Sequence, residues 1–341
     1  MPIYTVLGPI ESDELGMTSM HEHLLCDARV WQRPSAEEPP ASGKVSIETL
    51  GYLRWNLLSM EDNLLLDDPG LIAREAAEFK RVGGSGIVDL TIIGLGRRVA
   101  DLPHIARATG LHVMVGCGFY VHNTHPEWLE EASVEAIRDF IVDELQNGIE
   151  GTGIIPTLIG EIGTNHPITE REKKVLHAAG QAGAMAGVSV NVHLSPRGMD
   201  ALEVLEILLA EGMSPERVIF SHMDEYLDRG YHKAVAETGA VLEYDTFGSE
   251  FYYGDLMKNP TDKERLDYVQ FLVEEGFENQ LVIGCDVWVK ANLRTYGGMG
   301  YEHLLKRIVP AMRASYGLPE ETIQAILVDS PRRLLERPAP R

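Results

Sequence analysis

Cysteine is scarce in this sequence of 341 residues, which contains three: Cys26, Cys117 and Cys285. Because they are dispersed, they form neither a disulfide framework nor a CxxC zinc motif, and a reducing, cytoplasmic compartment is expected. No run of apolar residues approaches the roughly 18 that a membrane-spanning helix needs. The N-terminal residues MPIYTVLGPI lack a basic stretch and a long apolar core, so we expect no signal peptide and no membrane association.

Basic residues are also in the minority, with 30 lysines and arginines against 52 aspartates and glutamates and a formal net charge of −22. Nucleic acids and anionic membranes bind to surfaces of positive potential, so this charge argues against either as a partner. The expected partner is a small-molecule substrate. A dinucleotide-binding GxGxxG motif is also absent, which argues against the alternative of a doubly wound open sheet.

Apolar strand-like segments alternate with amphipathic helical segments along the chain. We predict strands at residues 17–21, 86–91, 112–117, 156–161, 188–193, 218–222, 240–245 and 281–286. We predict helices at residues 71–82, 101–109, 133–146, 169–186, 201–211, 227–238, 261–276 and 301–315 and from 318 onward. Such alternation is typical of a parallel sheet. Eight units in this length predict an α/β fold, a (β/α)8 TIM barrel that spans residues 1–341 as one domain, with a short N-terminal β cap and a C-terminal helix.

One long segment, Asp27 to Lys44, interrupts this alternation. It is rich in proline, serine, glutamate and alanine, contains Trp31, and has neither helical nor strand periodicity. Long loops inside compact domains are usually functional lids or disordered inserts. We interpret this segment as a loop near the mouth of the site.

Side chains that bind transition metals recur where the predicted strands end. His21 and His23 lie two residues apart in MTSMHEHLL, so in a strand their imidazoles share one face. The other donors follow strands four, five, six and eight: Glu161, His193, His222 and Asp286. Each has an ordinary alternative when taken alone, such as a helix N-cap for Asp286 or a hydrogen-bonded core residue for a histidine.

The shared position of these donors is better explained by metal binding. Catalytic residues of TIM barrels lie at the carboxyl ends of the strands, and closure of the barrel would bring all six donors to one rim. Four imidazoles and two carboxylates suit two divalent metal ions bridged by one carboxylate. We expect zinc first, with manganese, cobalt or iron as alternatives.

The order of these donors resembles the phosphotriesterase family of the amidohydrolase superfamily, and most closely its phosphotriesterase-related branch, which includes N-acetyltaurine hydrolase. The resemblance covers nearly the whole chain and rests on five segments: GFYV (Gly118–Val121), GEIG (Gly160–Gly163), EYDTFG (Glu243–Gly248), QFLVEEG (Gln270–Gly276) and YGGMGYEHLL (Tyr296–Leu305). It implies a binuclear metal centre and a homodimer. By this resemblance, His21, His23 and Asp286 hold the more buried metal, and His193 and His222 hold the more exposed one.

The sequence departs from common family patterns at two positions. Many members bridge the metals with a carboxylated lysine on strand four, whereas this chain has Glu161, which brings a carboxylate directly. Some family lactonases carry an arginine after the strand-seven aspartate, whereas Thr246 follows Asp245 here. The second departure argues against a simple acyl-homoserine lactonase.

We expect a hydrolase in which a metal-bridging hydroxide attacks the carbonyl of a lactone, a carboxylic ester or an N-acyl amide, with Asp286 as the proton acceptor. A phosphotriester is an alternative substrate. A second alternative is a metal-containing binding protein with little turnover.

Five residues are predicted to contact the substrate. Tyr120, after strand three, would donate a hydrogen bond or form an aromatic wall. Lys290 and Arg294, after strand eight, would hold an anionic group. Phe251 and Trp31 would contribute to an apolar lid.

Overall fold

The computed structural model describes residues 1–340 and contains a barrel of eight parallel strands with helices around it. The predicted (β/α)8 fold is therefore confirmed. In chain order the strands are β1 (Pro2–Thr5), β2 (Gly8–Glu11), β3 (Thr18–Glu22), β4 (Cys26–Asp27), β5 (Leu65–Leu66), β6 (Gly86–Asp89), β7 (His112–Cys117), β8 (Leu158–Gly163), β9 (Val190–His193), β10 (Val218–Ser221), β11 (Val241–Tyr244) and β12 (Leu281–Ile283).

The barrel runs from β3 through β6, β7, β8, β9, β10 and β11 to β12, with each strand parallel to the next. At the seam, the backbone N–H of Asp286 donates to the carbonyl of His21 at 3.1 Å. This contact brings the region after the last strand beside the first, so the barrel is nearly closed.

Helices cover the outside of the barrel. In chain order they are α1 (Leu50–Trp55), α2 (Pro69–Arg81), α3 (Leu102–Thr109), α4 (Trp128–Glu131), α5 (Val134–Asn147), α6 (Glu170–Ala186), α7 (Ala201–Ala210), α8 (Arg229–Glu237), α9 (Asp262–Glu274), α10 (Val309–Ala314), α11 (Glu320–Gln324) and α12 (Ser330–Leu335). Two π-helical segments, Leu304–Ile308 and Ala325–Asp329, lead into α10 and α12. None of the helices in residues 1–340 combines the length and apolar character that crossing a membrane requires.

The strands are apolar on both faces because both faces are buried. In β7, Val113 and Val115 pack outward among the residues of the helices, whereas Met114 points into the barrel beside Val88 and Leu158. Buried polar side chains are concentrated toward the carboxyl ends of the strands.

The two ends of the chain close the amino side of the barrel. β1 and β2 form an antiparallel hairpin, and Ile3 and Leu15 pack against the barrel interior together with Leu334 and Leu335 of α12. The predicted N-terminal β cap and C-terminal helix are therefore confirmed. With this end filled, the chemistry is confined to the opposite, carboxyl end.

Most element boundaries lie within a few residues of the predicted ones, and the capping box at Thr169 and Glu172 is confirmed. One shift concerns the site. β8 extends to Gly163, so Glu161 lies inside this strand rather than at its end. The pairing of β8 with β9 is irregular between Ile159 and Ile162, which flank Glu161.

An ion pair beneath the carboxyl end joins α9 to the loops after β10 and β11. The fully buried guanidinium of Arg265 donates to Asp224 at 2.7 Å and to Thr246 at 2.6 Å. Asp224 in turn accepts the backbone N–H groups of Asp245, at 3.2 Å, and Thr246, at 3.0 Å. These contacts fix the backbone directly behind the metal-binding residues.

The replacement Arg265→Met should lower the free energy of unfolding by about 3–5 kcal/mol, because it leaves a buried carboxylate without its counter-charge. Urea denaturation followed by circular dichroism measures this change. Lys263→Met, on the same helix, is the control, since Lys263 is 77% exposed and its pair with Asp267 lies at the surface. Equal losses in the two variants would contradict the role of Arg265.

Candidate metal centre

The six predicted donors lie together at the carboxyl end of the barrel, although they come from five different strands. His21 lies in β3 and His23 follows it, Glu161 and His193 lie in β8 and β9, and His222 and Asp286 follow β10 and β12. Five of the six residues are buried, and the sixth, His193, has a side chain that is 12% exposed.

One group of donors lies deep in the barrel and consists of His21, His23, Glu161 and Asp286. Asp286 Oδ1 is 3.7 Å from His21 Nε2 and 3.3 Å from His23 Nε2. Glu161 is 3.7 Å from His21 Nε2 through Oε1 and 3.8 Å from His23 Nε2 through Oε2. Ligands of a tetrahedral zinc ion lie about 3.3 Å apart, so these spacings suit one cation.

A second group, nearer the cavity, contains Glu161, His193 and His222. Glu161 Oε1 is 2.7 Å from His193 Nδ1 and 2.8 Å from His222 Nε2, and the two nitrogens are 2.9 Å apart. These donors are a few tenths of an ångström closer than the ligands of a bound zinc ion, so the side chains would spread slightly around a cation. Glu161 belongs to both groups.

Unpartnered polar atoms point to the same place. Within residues 1–340, His21 Nε2, Glu161 Oε2 and Asp286 Oδ1 are buried and have no hydrogen-bond partner. Such atoms are rare in proteins, because an unpaired buried polar group costs free energy. Divalent cations would satisfy all three, and imidazole and carboxylate are ligands that zinc and its neighbours prefer. The residues therefore fit a metal centre.

In three of the imidazoles, the nitrogen that points away from the other donors is held by a polar contact. This contact fixes the direction of the second nitrogen of the ring. His23 Nδ1 is 2.9 Å from the hydroxyl of Thr91. His222 Nδ1 is 2.9 Å from Asp245 Oδ1, and His21 Nδ1 is 3.0 Å from Asp245 Oδ2. In each of these histidines Nε2 is the nitrogen left to face the centre.

A layer of polar side chains lies below the six donors. Glu243 Oε2 is 3.1 Å from His21 Nδ1 and accepts hydrogen bonds from Asn191 and Ser221, both at 2.7 Å. Asp245 and Glu243 are not among the predicted site residues. Glu243 lies in β11, the seventh strand of the barrel, and Asp245 directly follows it. The rule that functional side chains lie near the ends of barrel strands, which identified the other donors, could therefore have found both.

The charges of the site favour cations among the imidazoles. Burial opposes a positive charge on His21 and His222, but Asp245 and Glu161 outweigh burial and raise the pKa of both imidazoles well above the usual value. Burial opposes the charge of Glu161, but His21 and His193 outweigh it and lower the pKa of this carboxyl. The same negative charges that favour protonated imidazoles would also favour bound divalent metal ions.

Two donors have strained backbones. His222 has φ 60° and Asp286 has φ 44°, both in the left-handed region that side-chain-bearing residues rarely adopt. Each such residue costs on the order of 1–3 kcal/mol and is found mainly at functional sites. At both positions the chain turns sharply after a strand, which directs the side chain inward over the barrel.

Five of the six donors, all except His21, line a cavity of about 220 Å³. Trp31 lines it, and its ring stacks on His193 with a centroid separation of 6.3 Å. The indole N–H of Trp31 donates to the hydroxyl of Tyr120 at 3.2 Å, and this hydroxyl is 3.4 Å from His193 Nδ1. Burial and the charge of Glu161 raise the pKa of Tyr120 well above its usual value, so its hydroxyl keeps its proton.

The cavity lining also contains a further carboxylate. Glu225 lines the cavity and accepts a hydrogen bond from the hydroxyl of Tyr253 at 2.7 Å. Burial raises the pKa of Glu225 to about 7. Cys26 and Trp288 also line the cavity. Glu225, Cys26 and Trp288 are not among the predicted site residues.

Three of the residues predicted to contact the substrate do not line this cavity: Lys290, Arg294 and Phe251. Lys290 Nζ donates to Asp62 at 3.0 Å, and Arg294 donates to Glu78 at 2.9 Å. Both cations are engaged by carboxylates of distant segments. Phe251 is buried in an apolar cluster that includes the cavity-lining residues Cys26 and Leu58, but Phe251 itself does not line the cavity.

Two other arginines line the cavity: Arg33 and Arg197. Arg33 belongs to the aperiodic segment predicted to lie near the site mouth, two residues after Trp31. Arg197 follows the ligand His193 by four residues, in the loop after β9. Inspection of the residues that follow the strand ends would have identified Arg197, whereas no pattern in the sequence points to Arg33.

Replacing Glu161 with glutamine should remove most of the bound metal, because a neutral amide cannot balance cations held by four imidazoles. Metal content per chain, measured by mass spectrometry of the purified protein, checks this. Glu170→Gln is the control, since the side chain of Glu170 is 93% exposed. Full metal content in the Glu161→Gln variant would contradict the bridging position.

Asp245→Asn should weaken metal binding by about 10- to 100-fold, because Asp245 orients two of the imidazoles and raises their basicity. Competition with a chelator of known affinity measures the change. Asp139→Asn, at a residue that is 66% exposed, controls for loss of one negative charge. An affinity equal to that of this control would exclude a supporting role for Asp245.

Comparison with known proteins places this geometry in a family. The sequence profile of the phosphotriesterase family matches residues 1–335. N-acetyltaurine hydrolase from Danio rerio is 37% identical over 340 residues, which are 98% of this chain and 97% of the relative. Two solved structures are also similar. A resiniferatoxin-binding protein from Rhodobacter sphaeroides has a TM-score of 0.94 at 36% identity, covering 98% of this chain and 95% of that one. A lactonase from Listeria monocytogenes has a TM-score of 0.82 at 29% identity, covering 98% and 99%.

These similarities confirm the resemblance inferred from the sequence motifs. They extend over the whole barrel rather than over isolated segments. The chain therefore belongs to the phosphotriesterase family of metal-dependent hydrolases.

Proposed function

We propose that this protein hydrolyses N-acyl amides whose amine part carries an anionic group, at a centre of two divalent metal ions. The observation that carries this proposal is the position of Glu161, whose carboxylate lies between two groups of imidazoles on the floor of a cavity. The substrate class is suggested by N-acetyltaurine hydrolases, which are 34–37% identical to this chain over nearly its whole length.

In this proposal His21, His23 and Asp286 would hold the deeper ion, and His193 and His222 would hold the ion nearer the cavity. Glu161 would contribute its carboxylate to both. Ions bound in this way would lower the pKa of a coordinated water to near neutrality and polarise the carbonyl of the substrate. Zinc is the first expectation, and manganese, cobalt and iron also suit these ligands.

Asp286 is the proposed proton carrier. Its Oδ1 is buried among His21 and His23 as a ligand, which leaves Oδ2 to take a proton from the attacking water. The same proton then passes to the leaving nitrogen when the carbon–nitrogen bond breaks, so the products are a carboxylate and an amine.

Tyr120 and Trp31 act on the cavity side. The hydroxyl of Tyr120 is a donor 3.4 Å from His193, a position suited to hold the oxygen of the substrate carbonyl. Trp31 covers His193 and donates to the same hydroxyl, so it both excludes water and orients Tyr120. Desolvation of this kind strengthens the electrostatic contacts that stabilise a developing negative charge.

Lactone hydrolysis is the second candidate, because a solved relative is a lactonase that covers 98% of this chain. The same nucleophile attacks lactones, amides and phosphotriesters, and the walls of the cavity decide among them. A binding protein with little turnover is a further alternative, and the retention of Asp286 beside the ligands argues against it.

A substrate panel tests the proposal. The metal-loaded protein is assayed on N-acetyltaurine, N-acetyl amino acids, lactones, carboxylic esters and a phosphotriester, with and without a chelator. We expect the highest kcat/KM on an anionic N-acyl amide and loss of activity with the chelator. Higher kcat/KM on lactones would favour the second candidate, and no turnover of any compound with metals bound would favour a binding protein.

Asp286→Asn should lower kcat on the preferred substrate by at least about 100-fold, with KM changed much less, because the variant loses the proton acceptor. Steady-state kinetics measure both constants. Metal content must be determined in the same preparation, since the loss of one ligand also weakens the deeper site. A variant that retains both metals and the kcat of the wild type would remove Asp286 from the mechanism.

A further inference from the structure

We infer that Arg33 and Arg197 form a subsite for the anionic group of the substrate, on the His193 side of the cavity. This inference rests on the proposed function, because it names the residues that would select an anionic amide. Among the cavity-lining residues of the described chain, these two arginines are the ones with a permanent positive charge.

The guanidinium of Arg33 is available for a ligand. The residue is half-buried at the cavity wall, and within residues 1–340 it forms no ion pair with a carboxylate. Its backbone is fixed, since its N–H donates to the carbonyl of Leu58, another wall residue, at 3.0 Å. In a chain of net charge −22, an arginine without a carboxylate partner that faces a cavity is unusual. A guanidinium offers five donors, which suits the oxygens of a carboxylate or a sulfonate.

Arg197 keeps most of its donors free. Its only carboxylate contact in the described residues is a loose one, with Asp255 at 3.6 Å, and its side chain is 53% exposed. Its backbone N–H lies 3.4 Å from the hydroxyl of Ser195, which also lines the cavity. The turn after β9 therefore presents this arginine at the mouth of the cavity.

Both arginines belong to segments tied to one metal ligand. Arg33 follows Trp31, whose ring stacks on His193, and Arg197 lies in the loop that begins at His193. Because both segments meet at His193, we place the subsite on the side of the more exposed ion, where the substrate carbonyl is expected. An acyl amide bound there would extend its amine part toward them.

Carboxylates elsewhere in the lining disfavour the same group. Glu225 and Asp286 line the cavity and would repel an anion that approached them. Attraction by the arginines and repulsion by these carboxylates would orient a substrate with its anionic end away from the proton carrier. The subsite thus sets both the charge and the direction of the substrate.

The test compares two isosteric substrates on the metal-loaded protein: 2-acetamidoethanesulfonate and the neutral 2-acetamidoethyl methyl sulfone. We expect Arg33→Met and Arg197→Met each to lower kcat/KM for the sulfonate by about 10- to 100-fold, mainly through KM, and to change the neutral sulfone less than about threefold. Arg107→Met, at an exposed residue outside the cavity lining, is the matched control. Equal losses on both substrates, or no loss on either, would overturn the subsite.

A binding experiment separates this inference from the proposed function. Ethanesulfonate cannot be hydrolysed, and its affinity is measured by calorimetry for the wild type and for each arginine variant with equal metal content. Weaker binding in Arg33→Met and Arg197→Met, but not in Arg107→Met, supports the subsite even if no amide on the panel is cleaved. Unchanged affinity in both variants would overturn it even if N-acyl amides prove to be substrates.

Discussion

The buried carboxylate of Glu161 is the group on which the rest of the centre depends. It lies 2.7 and 2.8 Å from His193 and His222, and 3.7 and 3.8 Å from His21 and His23. A carboxylate removed from water in this way costs several kcal/mol unless positive charge compensates it. The closed barrel supplies that compensation, because strands far apart in sequence end at one rim and direct their imidazoles to the same carboxylate. The same requirement is satisfied by protons or by divalent cations, which is why the scaffold suits a metal centre.

The imidazoles are held in turn by a chain of charged groups that reaches the outer helices. His222 bonds to Asp245, the backbone N–H of Asp245 donates to Asp224, and Asp224 pairs with the buried Arg265 of α9. Each link is buried, so each depends on the next for its hydrogen bonds. The position of a ligand is thereby set by the packing of a helix against the barrel. Stability and chemistry are coupled here because the same carboxylates serve both.

Much of the centre follows from the sequence because the positional rule of the fold is strong. Donors placed after apolar strands must meet once the barrel closes, and a two-residue error in the bounds of β8 does not change which side chains point inward. Charge pairing is different. Lys290 and Arg294 follow the last strand as a rim residue should, yet Asp62 and Glu78, far away in sequence, engage them. Arg33 lies in a segment without periodicity, whose path depends on tertiary contacts alone. Sequence patterns therefore do not predict the roles of side chains whose partners lie far away in the sequence.

Selectivity must come from the walls rather than from the floor. Metal ions held by imidazoles and carboxylates would activate water against any carbonyl or phosphoryl group that reaches them, so they discriminate little between substrates. The walls come from the segment 27–44 and from the loops after the strands, which vary without disturbing the barrel. In this chain Trp31 ties the first of these segments to His193, and Arg197 lies in the loop that starts at the same residue. In the proposed function, substrate charge would be sensed by segments that contact or begin at His193, so a change in either segment would alter both the proposed specificity and the surroundings of this imidazole.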